Sequence, residues 1–133
     1  MTLKLKSISA TTATLTLTKY ENGSTIVFNR AAGTAVTLPA PADGATFKFV
    51  IGTAPTTANT IATSGSANII KGGINELEVD TADDGPYSAV GDLISFVANL
   101  AVVGDFVDLS SDGTSWFLRG QTNADGGITI GST

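Results

Sequence analysis

Reactive side chains are scarce in this sequence. It contains no histidine and no cysteine, which removes the commonest general base, the commonest metal ligand and every thiol nucleophile. Neither a Ser-His-Asp nor a Cys-His arrangement can be assembled. What remains are carboxylates, in two groups: Asp80, Asp83 and Asp84, and farther on Asp105, Asp108 and Asp112. Two carboxylates about 5–9.5 Å apart are enough to cleave a glycosidic bond. Such clefts also need aromatic platforms, and the one Trp, two Tyr and six Phe stand mostly at core-like positions. No catalytic residue is expected. The Asp80-Asp83-Asp84 group lacks the alternating D-x-D-x-D-G pattern and distal Glu of a calcium loop, so it reads as a solvated acidic loop. Gly72-Gly73 and Gly126-Gly127 read as turns rather than phosphate cradles, since neither opens a helix. No metal and no cofactor is implied.

The second carboxylate group surrounds the strongest structural signal in the chain. In Gly104 to Gly120, GDFVDLSSDGTSWFLRG, two alternating runs flank Asp112-Gly113, the composition of a tight β-hairpin. Phe106, Val107 and Leu109 lead into the turn, and Trp116, Phe117 and Leu118 lead away. Trp116 is the only tryptophan, and an indole buries roughly 150–250 Å², so the core is expected to be thickest here. A lone hairpin is marginally stable; other strands must cover it.

Those strands follow from period-two patterns separated by Gly, Pro, Asn and Asp. Leu3 and Leu5 share a face, as do Leu15 and Leu17. Thr25-Ile26-Val27-Phe28 is rich in strand formers, and Thr34 to Leu38 alternates until Pro39-Ala40-Pro41, whose prolines cannot donate to an interior ladder. In Thr46 to Ile51, Phe47 and Phe49 point one way and Lys48 the other, and Val36 and Leu38 against Phe47 and Phe49 would form a second hairpin core. Gly52 to Ser66 is small and polar, with one short strand at Asn59 to Thr63. Ala67 to Lys71, Ile74 to Val79, Leu93 to Ala98 and Ile128 to Ile130 complete the set. No segment keeps helical periodicity over three turns. About ten short strands predict an all-β domain, a β-sandwich or β-barrel. The predicted core centres on Phe47, Phe49, Phe96, Phe106, Trp116 and Leu118.

With 133 residues, one domain is expected, divided into an N-terminal arm over residues 1–13 and a β domain over 14–133. The arm is either a strand donated to a neighbouring subunit or an ordinary edge strand. Charged residues make up 14% of the chain against roughly 25% in typical soluble domains, a surface suited to packing against other subunits. The net charge of −5 opposes nucleic-acid binding, which needs clustered Lys and Arg. No apolar run reaches the roughly 18 residues of a membrane-spanning helix, and the N-terminus lacks the apolar stretch of a signal peptide.

One resemblance sharpens these expectations. Gly91-Asp92-Leu93-Ile94-Ser95-Phe96-Val97-Ala98, then Val102 to Leu109, Ser111-Asp112-Gly113-Thr114-Ser115-Trp116 and Gly126-Gly127-Ile128-Thr129 resemble segments of tailed-phage capsid decoration, or cement, proteins. Val36 to Pro41 and Gly44 to Val50 are similar to the first half of the same group. The likeness runs from about residue 25 to about residue 130, and its S-D-G-T-x-W element also occurs in phage tail fibres. It implies a homotrimer on the outer surface of the virion capsid, made in the host cytoplasm, whose partners are the major capsid protein and itself, with no nucleic acid and no membrane. The expected contact residues are Leu3, Leu5 and Ile8 in the arm and Pro55, Thr57 and Asn59 in the long loop. The alternative reading is a tail-fibre or head-fibre β module that binds a host receptor glycan. A small carbohydrate-binding module is a third reading, weakened by the shortage of aromatics for an exposed platform.

Overall fold

The computed structural model describes residues 6–78 and 87–133. The strands in chain order are β1 (Ser7–Ala10), β2 (Thr14–Thr16), β3 (Thr25–Phe28), β4 (Ala35–Thr37), β5 (Asp43–Ile51) and β6 (Asn59–Ala62). They continue with β7 (Ile70–Glu76), β8 (Tyr87–Gly91), β9 (Leu93–Phe96), β10 (Phe106–Asp112), β11 (Trp116–Thr122) and β12 (Ile128–Gly131). Two short 3-10 turns, Lys19–Glu21 and Ser64–Ser66, are the helical pieces among the described residues. The strands form a seven-stranded sheet in the order β1-β3-β5-β10-β11-β7-β8 and a five-stranded sheet in the order β12-β9-β6-β4-β2. The architecture is all-β, and its two separate sheets resolve the choice between sandwich and barrel in favour of the sandwich.

The first half of the chain is wound like a coil. Successive strands alternate between the sheets, so β1, β3 and β5 pair in parallel in one layer while β2, β4 and β6 do so in the other. Parallel neighbours need a long return path, and here that path runs through the opposite sheet. This corrects the expected hairpin between the Val36 and Phe47 segments: β4 and β5 lie in different layers, and their buried side chains share one core. Pro39 and Pro41 explain the crossing, because an extended proline segment without N–H donors cannot stay in a ladder. The second half is mostly antiparallel, with β10 joined to β5 on one side and β11 on the other.

The core lies between the layers. Phe28 and Phe96 cross from one sheet to the other with ring centroids 5.4 Å apart, and Trp116, fully buried, sits 5.8 Å from Phe47. Phe47, Phe49, Phe96, Trp116 and Leu118 are all in the buried cluster. Phe106 is not: it is half-buried on the outer face of the seven-stranded sheet. Period two allows only one of two adjacent strand residues to point inward, and on β10 that residue is Val107. The same rule turns Phe117 outward beside the buried Trp116.

One open reading closes and one expectation changes. Ser7–Ala10 pairs with β3, so the latter part of the predicted arm is an edge strand; Leu3 and Leu5 lie outside the described residues, as do Asp80, Asp83 and Asp84. Gly72-Gly73 is no turn but the middle of β7. A Cβ on Gly72 would stand 2.0 Å from the Leu118 carbonyl oxygen, so the parallel approach of β7 to β11 demands glycine there.

Candidate functional site

The hairpin carboxylates do not converge. Asp105 and Asp108, three residues apart, point to opposite sides of the sheet: Asp105 is buried and Asp108 exposed. Asp108 and Asp112 are separated by about 13 Å of strand rise, beyond the span of a glycosidase pair. Among the described residues no group of three or more acidic side chains is placed to hold a metal ion.

Asp112 and Asp105 have local structural tasks, as does Asp92. Asp112 closes the hairpin turn: its Oδ1 accepts the N–H groups of Ser115 and Thr114, both at 2.9 Å. These two bonds, Ser115 first, hold its pKa below the ordinary value of 3.8 because they favour the ionised form. Gly113 supplies the positive φ of 93° that the turn requires. Asp105, just before β10, ties the end of β11 to the loop between β9 and β10. Its Oδ2 accepts from Val102 N–H at 3.0 Å and Thr122 Oγ1 at 2.9 Å, and its Oδ1 accepts from Asn123 N–H at 3.1 Å. Asp92, buried where the chain passes from β8 to β9, accepts from the N–H and hydroxyl of Thr133, both at 2.8 Å.

The Asp105 clamp presents an apolar end of the sandwich. Leu100, Val102 and Val103 are exposed in the loop between β9 and β10, Val103 at 64%. Leu77 is exposed too, and its N–H bonds the Thr122 carbonyl oxygen at 3.0 Å, which places it beside the same clamp. The loop is braced further by Asn99, whose N–H reaches the Pro55 carbonyl at 2.9 Å. Large apolar side chains displayed together on a braced loop are what a protein-binding surface offers.

Among the contact residues expected from the sequence, Thr57 is exposed, while Ile8 packs partly buried against the core. Pro55 and Asn59 are buried, which withdraws them as contacts. Pro55 receives the Asn99 bond just described, and Asn59 Oδ1 accepts the Thr34 N–H at 2.8 Å. Both fasten loops to the body. The exposed Leu100, Val102 and Val103 were missed because their β-branched, apolar sequence reads as a lead-in strand; the Asn99 turn, with φ 63°, is the signal that could have set them apart.

A second surface is the outer face of the seven-stranded sheet, an open concavity of about 1000 Å³. Register fixes its pattern. Asp108 on β10 lies between Lys48 on β5 and Arg119 on β11, which forms one charged row. A second row sets Ser110 beside Phe117 and Phe117 beside Lys71. The third sets Phe106 beside Gln121 and Gln121 beside Asn75. Lys48 Nζ stands 5.2 Å from the Phe106 ring centroid, a cation–π distance.

Comparison with protein-family models and with curated proteins returns no match for this chain.

Proposed function

We propose that this chain is a phage capsid decoration protein, a homotrimer that binds the outer surface of the capsid and stabilises contacts between major capsid protein subunits. The observation that carries the reading is the apolar end: Leu77, Leu100, Val102 and Val103 stand exposed around the buried Asp105 clamp. Burying such side chains against other proteins is favourable by roughly 25 cal/mol per Å² of apolar surface, and the clamp fixes the loop before binding, which lowers the ordering cost. Three copies in one trimer would add avidity to individually weak contacts. The low charge content and the resemblance of several segments to those of cement proteins favour the same role.

The test is co-sedimentation with heads of the phage that carries its gene, stripped of their outer proteins, together with light scattering of the purified chain. The proposal expects a trimer and a rise in the temperature at which heads disrupt. Val103→Asp, at an exposed position, should abolish head binding while leaving the thermal melt of the free protein unchanged. A monomer that leaves heads unprotected, or undiminished binding by Val103→Asp, would refute it.

A further inference from the structure

The outer sheet face has no role in the proposed capsid contact, and its chemistry is unlike the rest of the molecule. The chain has seven Lys and Arg against twelve Asp and Glu, yet the concavity gathers Lys48, Lys71 and Arg119 around Asp108, with Asp112 beyond its lining and within reach of the Lys71 charge. A cationic basin on an acidic protein selects an anionic ligand. The field within a concave wall concentrates it further.

Three features say what kind of anion. First, the polar groups are mixed: the Asp108 carboxylate is flanked by donors from Lys48 and Arg119, and Gln121 and Asn75 are amides that both donate and accept. Hydroxyl groups, each at once a donor and an acceptor, match such rows. Second, Phe117 is 46% exposed next to Lys71, which offers an apolar ring face to the C–H side of a sugar. Third, β5, β10, β11 and β7 are each paired on both sides, so their main chains have no free edge with which to add a peptide strand.

We infer that this concave face binds a carboxylate-bearing oligosaccharide, with Arg119 and Lys71 taking the sugar carboxylate, Asp108 and Gln121 the hydroxyls, and Phe117 the ring face. The site goes beyond the capsid-binding reading and is independent of it. A protein that coats a shell with one end would still present this face to its surroundings.

The experiment is an array carrying uronate, sialate and neutral oligosaccharides, followed by calorimetric titration with pentagalacturonate, its methyl ester and pentaglutamate. The inference expects acidic glycans to dominate the array, and pentagalacturonate binding to weaken as salt rises. Phe117→Ala and Arg119→Gln should each reduce that affinity about tenfold or more. Both positions are exposed, and unchanged melting curves would show that the fold is intact. Val103→Asp should bind the glycan like the parent, which separates this result from failure of the capsid reading. The inference is overturned if no acidic glycan binds, if the methyl ester binds as well as the free acid, if pentaglutamate binds more tightly, or if both face variants bind undiminished.

Discussion

Replacing Trp116 by alanine tests the packing account most directly. The indole is fully buried and lies 5.8 Å from the Phe47 ring at an interplanar angle of 51°. Removing roughly 150–250 Å² of buried surface at about 25 cal/mol per Å² forfeits about 4–6 kcal/mol, with a further loss for the cavity left behind. Two effects reduce the total. The extended-chain reference overstates burial, and the indole Nε1 is buried without a hydrogen-bond partner among the described residues, a penalty of about 1–3 kcal/mol that leaves with the side chain. The expected loss is therefore about 3–5 kcal/mol, a large part of the roughly 5–15 kcal/mol that holds a domain folded. For 133 residues, at about 2.1 cal/mol/K of unfolding entropy per residue, the melting temperature should fall by about 11–18 °C. Trp116→Phe, which keeps a ring against Phe47 and deletes the unpaired N–H, should cost less than about 2 kcal/mol. Urea unfolding followed by circular dichroism measures both. A loss below about 1 kcal/mol for the alanine variant, or water-like tryptophan emission from the native protein, would refute the reasoning.

Three other perturbations follow from particular contacts. Gly72→Ala should destabilise the protein by about 3 kcal/mol or more, since the new methyl meets the Leu118 backbone at 2.0 Å; Gly131→Ala, whose added Cβ has no atom of the described residues within 4 Å, should change stability by less than about 1 kcal/mol in the same unfolding assay. Asp105→Ala strands the amide donors of Val102 and Asn123 and leaves the Thr122 hydroxyl only the Ala124 carbonyl oxygen at 3.4 Å, so it should cost about 2–4 kcal/mol and speed amide exchange at Val102 and Asn123. For Asp112 the folded pKa lies below 3.8, so its contribution to the turn is complete above that value and fades as pH falls through the folded pKa. A carboxyl titration by NMR should show the Ser115 and Thr114 amide shifts moving with the Asp112 midpoint, and a midpoint above 3.8 would contradict the geometry.

What the sequence made legible is local. The Asp112-Gly113 hairpin, the strand character of β3, β5 and β9, and the burial of Trp116 all follow from patterns within a few residues. The pairing of β1 with β3 and of β2 with β4 could not be read that way, because each involves residues separated by a full circuit of the coil. Hydrophobicity alone puts Phe106 in the core, although strict alternation against the buried Val107 turns it outward. Gly72-Gly73 has turn composition, and only the proximity of Leu118 makes it a strand. The concave face is built from Lys48, Asp108 and Arg119, which meet solely through the register of β5, β10 and β11. Nothing in their spacing along the chain announces it.

The coil bears on how the polypeptide acquires its shape. The β10–β11 hairpin can close as soon as its short turn forms, whereas β1 finds β3 only after the intervening chain has travelled out to the other layer and back. Loop-closure entropy opposes each of those circuits, and structures dominated by distant pairings assemble slowly. The hairpin and β5 are thus the natural starting scaffold, onto which the earlier windings are laid in reverse order of synthesis. Pulse-labelled amides should report protection in β10 and β11 ahead of β1 and β2, so the amino-terminal rim would be the last part of the molecule to become ordered.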